Sequence, residues 1–353
     1  MKRAQHSFLF SLALSAAVLP LCGQNYKVTG SIPLGGDGRW DYLTVDSPDR
    51  QLFVSHDTEV DVVDLSSGKP AGKIGGFGFV HGIAIASDLG LGFITDGKNN
   101  QVVALDLRSH AIKKKIAAGT NPDGIVYDRP SQRVFAFNGR SKNVTVIDAR
   151  KLSAAGVIAL DGKPEFPVSD DQGFVYVNVE DKSEIVKINP RDLSVEAKWP
   201  LSPCESPSGM AIDRQNHRLF SVCDNKMMAV VDYRSGKVLA TPAIGEGPDA
   251  AAFDPTRHLA FSSNGEDGTL TVVQEGGVGV STMLGENKGN KPFQPVETVK
   301  TAIGARTMAL DPDTHKIYLS SATMGSAPAA TAGNPHPRPT VVPGSFRLLV
   351  VSQ

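Results

Sequence analysis

Asp123-Gly-Ile-Val-Tyr-Asp128 is the stretch on which the reading of this chain turns, because its pattern returns six more times. The counterparts are Asp41-Tyr-Leu-Thr-Val-Asp46, His81-Gly-Ile-Ala-Ile85, Glu165-Phe-Pro-Val-Ser-Asp170, Ser208-Gly-Met-Ala-Ile-Asp213, Asp249-Ala-Ala-Ala-Phe-Asp254 and Arg306-Thr-Met-Ala-Leu-Asp311. Successive segments start 40, 42, 42, 43, 41 and 57 residues apart. A period near 40, built only from short strand patterns between turns, is the signature of a β-propeller with one four-stranded sheet per repeat. The expected fold class is therefore all-β, a seven-bladed β-propeller.

Working outward, each segment is followed by a second apolar strand: Leu52–Val54, Leu91–Ile94, Val134–Phe137, Val175–Val177, Leu219–Val222, Leu259–Phe261 and Ile317–Leu319. Third strands follow at Val60–Asp64, Val102–Asp106, Val144–Asp148 and Val230–Asp232, two of them running into Ser-Gly-Lys turns at Gly68 and Gly236. β-Branched strands joined by Gly-containing turns are what antiparallel blades require. The seventh repeat supplies only three strands, the third at Phe346–Val351. Tyr26–Ile32 belongs to no earlier blade, so it is expected to pair beside that strand and cover its edge. Two excursions interrupt the period: a polar one containing Glu286–Pro292 in the sixth blade, and Met324–Gly344, rich in Ala, Pro and Gly, in the seventh. The second is a candidate partial lid.

The N-terminus reads as a signal peptide over residues 1–23: Lys2 and Arg3, an apolar run from Phe8 to Leu21, then Cys22-Gly23 before polar residues. The run is short for a membrane span, which needs about 20 residues. Cleavage near Gly23 leaves residues 24–353 as one propeller domain, periplasmic or secreted. A lipid anchor on Cys22 is the alternative, weakened by Leu21 where a small residue is usual. Removing Cys22 leaves Cys204 and Cys223, an even pair that in an exported chain implies a disulfide. Soft-metal binding together with Met227 and Met228 is the competing use of those thiols.

With 41% apolar and 21% charged residues the chain is an ordinary globular composition, without a further membrane segment. The 36 basic and 37 acidic residues leave a net charge of −1, no field to hold nucleic acid, so that partner class is not expected. The repeats, with Val175-Tyr-Val-Asn178 and the strand–Asp–Ser-Gly-Lys–strand–Pro-Asp-Gly progression, resemble the bacterial YVTN-repeat propellers. The chain is similar to an exported YncE-type member from Tyr26 to Gln353. That resemblance implies a seven-bladed quinoprotein-like or WD40/YVTN-like propeller. It implies no single activity, since such propellers include binding proteins, surface-layer components and domains of redox enzymes. The DNA binding associated with the group's namesake is not carried over, because the basic excess is missing.

Propeller geometry turns the alignment into a site. Equivalent strand starts lie around one mouth of the central channel, so Asp41, His81, Asp123, Glu165, Ser208, Asp249 and Arg306 form a ring, with Trp40 beside it. Four clustered carboxylates with an imidazole and a guanidinium suit a polar or cation-binding site, for a small molecule or a protein partner. The bland reading is that these residues cap their own turns. Trp40 is either an aromatic platform at the mouth or a wedge between the first and last blades. His56 and His336 are placed on the same face as His81, a set that would suit a transition metal although no close His spacing supports one. Three function classes remain open. They are a non-catalytic binding or scaffold protein, a lactonase- or lyase-type enzyme with a divalent cation in the channel, and a redox accessory protein with a metal or quinone-like cofactor. The aspartates ending the inner strands, Asp46, Asp128, Asp170, Asp213, Asp254 and Asp311, are expected to cap turns at the opposite end.

Overall fold

The computed structural model of the chain describes residues 25–36, 39–276, 292–328 and 339–353. Seven four-stranded antiparallel sheets follow one another, six running in chain order from the inner strand outward and the seventh taking the N-terminal Lys27–Pro33 as its outermost strand. The inner strands are Trp40–Asp46, Val80–Ala86, Pro122–Asp128, Pro164–Ser169, Pro207–Asp213, Pro248–Asp254 and Met308–Asp311. They contact one another in sequence, and the first contacts the last, which closes the ring. Among the described residues helical structure is limited to three single 3-10 turns, Ser87–Leu89, Gly97–Asn99 and Glu180–Lys182. The leader-like segment, most of the sixth-blade excursion and His336 lie outside the described residues.

Second and third strands are near-continuous apolar runs because both faces of every blade are covered by a neighbour. Leu52 and Val54 point into a cluster with Tyr318, Phe346 and Leu348 of the seventh blade. Phe53, between them, points the other way, against Ile83 and Ile94 of the second. The third blade repeats this, with Val134 and Ala136 facing back and Phe135 and Phe137 facing forward. Outer strands such as Ile112–Ala117 are mostly exposed and carry Lys113, Lys114 and Lys115, which protect the sheet edge.

The closing strand is where the sequence pattern placed it. Lys27–Pro33 pairs antiparallel with Arg347–Ser352, with Ile32 opposite Leu348 and Lys27 opposite Ser352. Tyr26 continues the lock by packing its ring 5.4 Å from Phe261 of the sixth blade and accepting a hydrogen bond from Arg257 at 3.1 Å.

Cys204 and Cys223 form a disulfide with Cα atoms 5.8 Å apart, both fully buried in the fifth blade. The bridge takes up both thiols, Met227 packs beside them, and Met228 lies in a different buried cluster. The bridge closes a 19-residue separation, for which loop-closure entropy gives about 3 kcal/mol. The Cys204→Ala/Cys223→Ala variant is expected to lose that amount in denaturant unfolding; a midpoint unchanged from the parent would contradict it.

The aspartates at the far end of the inner strands cap turns, and they do more. Asp170 accepts three backbone N–H groups, from Gln172, Gly173 and Phe174, and Asp254 accepts those of Thr256 and Arg257. The remaining oxygens tie neighbouring blades together. Ser87 donates to Asp46, Ser169 to Asp128, the His315 ring lies 2.7 Å from Asp254, and Arg50 grips Asp311.

Candidate functional site at the channel mouth

In six blades the pairing register slips where the ring residue sits, between Trp40 and Leu43, Val80 and Ile83, Pro122 and Ile125, Pro164 and Pro167, Pro207 and Met210, and Pro248 and Ala250. A bulge lets a strand end re-aim its side chain, here out of the ladder and into the mouth. The position after the ring residue is tight. A Cβ on Gly124 would lie 2.4 Å from the Glu165 carbonyl oxygen, and one on Gly209 would lie 2.6 Å from Ala250 Cα. The carbonyls of the ring are themselves held from the preceding blade: Ser55 donates to His81, Thr95 to Asp123 at 2.7 Å, Asn178 to Ser208 at 2.8 Å and Ser263 to Arg306. Such second-strand donors fix the mouth rigidly.

A cavity of about 130 Å³ opens there, lined by Asp41, Tyr42, Asp123, Lys163, Glu165, Asp249 and Arg306, with Thr307 and Met308 at its side. Five of the seven ring residues thus share one polar space. His81 stands at its edge, with Nδ1 2.7 Å from Asp41 and 3.6 Å from Asp123. Arg306 pairs with Asp249 and donates to the Trp40 carbonyl at 3.1 Å. Lys163 pairs with Glu165 at 2.6 Å and with Glu180. Ser208 turns away, donating to the Pro248 carbonyl at 3.1 Å.

Trp40 contributes its backbone to the mouth but not its ring, which is buried and stacks on Phe346 with centroids 5.3 Å apart. It wedges the first and last blades, with Met324 and Val341 from the base of the seventh-blade excursion packed on the same cluster. That base is a short hairpin stem in which Met324 bridges Val341. His56 is the last residue of a strand, buried, 2.8 Å from Asp61 and packed at a tilt on Phe346 with ring centroids 4.2 Å apart. His56 and His81 therefore belong to separate clusters and do not assemble a shared metal shell.

Burial and mutual repulsion govern the charges. Burial, reinforced by Asp41 and opposed by His81, pushes Asp123 up to about 6. Burial and the Asp123 charge push Glu165 up to about 8 against the pull of Lys163. Burial also raises Asp249, with Arg306 opposing. For His81, burial disfavours the imidazolium most strongly, yet the Asp41 hydrogen bond and the charges of Asp123, Asp41 and Glu165 outweigh it and raise its pKa. Burial, then Asp123, Asp41, Glu165 and Asp249, hold the Tyr42 hydroxyl protonated far above its ordinary range. The site thus joins acceptors in excess to an aromatic ring, with Tyr42 lying 5.1 Å from Phe166 across the channel.

Tyr42 and Lys163 were missed by the repeat reading. Tyr42 breaks a column that is Gly82, Gly124, Gly209 and Ala250 in four other blades, and that break was the available signal. Lys163 lies two residues before the aligned segment.

No protein-family model and no curated protein matches the chain. Among solved structures the chain is similar to a chain of Kuenenia stuttgartiensis hydrazine synthase, at 15% identity and a TM-score of 0.66, over 81% of this chain and 92% of that one. At that identity the likeness establishes the propeller fold and nothing of the chemistry.

Proposed function

We propose that the protein is an exported, YncE-like binding propeller that holds the ammonium group of a small organic amine in its channel mouth. The observation carrying this reading is the placement of Tyr42 among Asp41, Asp123, Glu165 and Asp249 in one small cavity. Carboxylates supply acceptors for N–H donors, and an aromatic ring beside them favours an organic cation over a bare hydrated one. Glu165 and Asp249 are held by Lys163 and Arg306, and Asp41 is hydrogen-bonded to His81, so Asp123, 3.6 Å from that imidazole, is the least engaged acceptor. Export is supported by the leader pattern and by the buried disulfide. Among the described residues no helix is long and apolar enough to cross a membrane.

Calorimetric titration with ethylamine, ethanolamine and putrescine tests the reading. Asp123→Asn is expected to weaken binding at least tenfold, about 1.4 kcal/mol. Protonation of Asp123 and His81 both remove negative charge from the mouth, so affinity is expected to rise between pH 5 and 7 as Asp123 ionises near 6. Absence of heat with every amine, or affinity independent of pH in that window, contradicts it. A second reading is a divalent cation held by Asp41, His81 and Asp123, whose ligand atoms lie within 4.8 Å of one another. Saturable binding of Ca²⁺ or Mn²⁺ that is lost in His81→Gln, with no amine response, would favour that alternative and the cation-dependent enzyme it permits.

A further inference from the structure

At the end of the propeller away from the mouth, the junction between the fifth and sixth blades differs from four of the others. There the turn-capping Asp213 meets a second carboxylate, Glu275, where Asp46, Asp128, Asp254 and Asp311 meet a hydroxyl, an imidazole or a guanidinium from the next blade. His258 stands in the same positive-φ turn position of its blade that His315 and Arg50 occupy in theirs, so it is the residue placed to reach Asp213. It turns its Nδ1 to Glu275, 3.1 Å away. Asp213 is 2% exposed and Glu275 5%, so water does not screen the two acids. Asn216 donates to both, at 2.7 and 3.3 Å, which leaves Glu275 Oε1 buried without a hydrogen-bond partner among the described residues.

We propose that Asp213, His258 and Glu275 form a binding site for a first-row divalent metal ion such as Zn²⁺ or Mn²⁺. Two buried carboxylates facing each other need a cation or a proton, and an imidazole on the third side selects a metal that accepts nitrogen. One ligand atom from each residue lies within 4.8 Å of the others. Donors sharing an ion at about 2.1 Å sit about 3 to 4 Å apart, so closure requires only a small inward shift. Asn216 restrains both carboxylates from outside, the usual role of a hydrogen-bonding partner to metal ligands. The His258 side chain, 30% exposed, gives the ion a path from solvent. The site is independent of the channel mouth.

The test uses the whole chain, stripped with chelator and desalted, then titrated with ZnCl₂ and MnCl₂ at pH 7.5 by calorimetry and thermal unfolding. One metal is expected to bind at this junction and raise the melting temperature. Glu275→Gln and, separately, His258→Gln should each weaken that binding at least tenfold, whereas Asp123→Asn should leave it unchanged. No saturable binding, or binding retained within twofold in both Glu275→Gln and His258→Gln, overturns the proposal. A metal-free Glu275→Gln variant that melts higher than a parent binding no metal also overturns it, and assigns the pair to a shared proton.

Discussion

Deleting residues 26–33 is expected to leave no cooperative unfolding transition, because it removes one strand of the blade that joins the two ends of the chain. The loss is larger than one ladder. Tyr26 and Ile32 are both buried, and their burial alone is worth about 3–6 kcal/mol, against a total stability of roughly 5–15 kcal/mol for a folded domain. The deletion also exposes the full edge of Arg347–Ser352, an unpaired apolar strand that templates aggregation. Calorimetry and gel filtration check this. A monomer with a sharp transition within a few degrees of the parent would mean that the ring does not depend on the shared blade.

Arg50→Ala should produce the largest effect of any single surface-proximal substitution. Arg50 holds both oxygens of Asp311, at 2.7 and 2.9 Å, and reaches Asp313 at 2.8 Å, linking the first blade to the seventh. Asp311 is fully buried but Arg50 is 25% exposed and the Thr314 hydroxyl and Asp313 amide still donate to the carboxylate, so losing Arg50 leaves it partly unsatisfied at a cost of about 1–3 kcal/mol. Burial works against the Asp311 carboxylate, but hydrogen bonds from Arg50, Thr314 and the Asp313 amide win and lower its pKa. A depressed carboxyl pKa stabilises the fold above the unfolded value of about 3.9 and loses that contribution as pH falls below it. The parent should therefore lose stability steeply in that acid range, and Arg50→Ala should lose less. Adding Asp311→Asn to Arg50→Ala should recover part of the loss by removing the stranded charge. A change below about 1 kcal/mol in denaturant unfolding of Arg50→Ala would refute the account.

The sequence carried the architecture well because each blade repeats one local problem. The column Asp46, Asp128, Asp170, Asp213, Asp254 and Asp311 announced a turn, and strand counting placed Lys27–Pro33 beside Arg347–Ser352. The mouth was legible as a ring of positions but not as a site. Whether Ser208 faces the cavity or the Pro248 carbonyl, and whether Trp40 offers its ring or only its carbonyl, depends on packing between blades that are distant in sequence. The same holds for Asp213. A single repeat shows a turn cap, and only the neighbouring blade reveals that Glu275 faces it. Repeat alignment compares like with like, so it finds shared roles and passes over a residue such as Lys163 that lies outside the aligned segment, or Tyr42 and Phe166, which replace the small residue of their column and meet each other.

The shared seventh blade also orders events during synthesis. Lys27–Pro33 is made before any of the seven inner strands, yet its partner Arg347–Ser352 is made after all of them. The first strand therefore has no partner, and Tyr26 and Ile32 no burial, until the last strand has been made. Ring closure cannot precede that moment, and a chain held short of it offers another copy of itself the open edge of an unfinished blade.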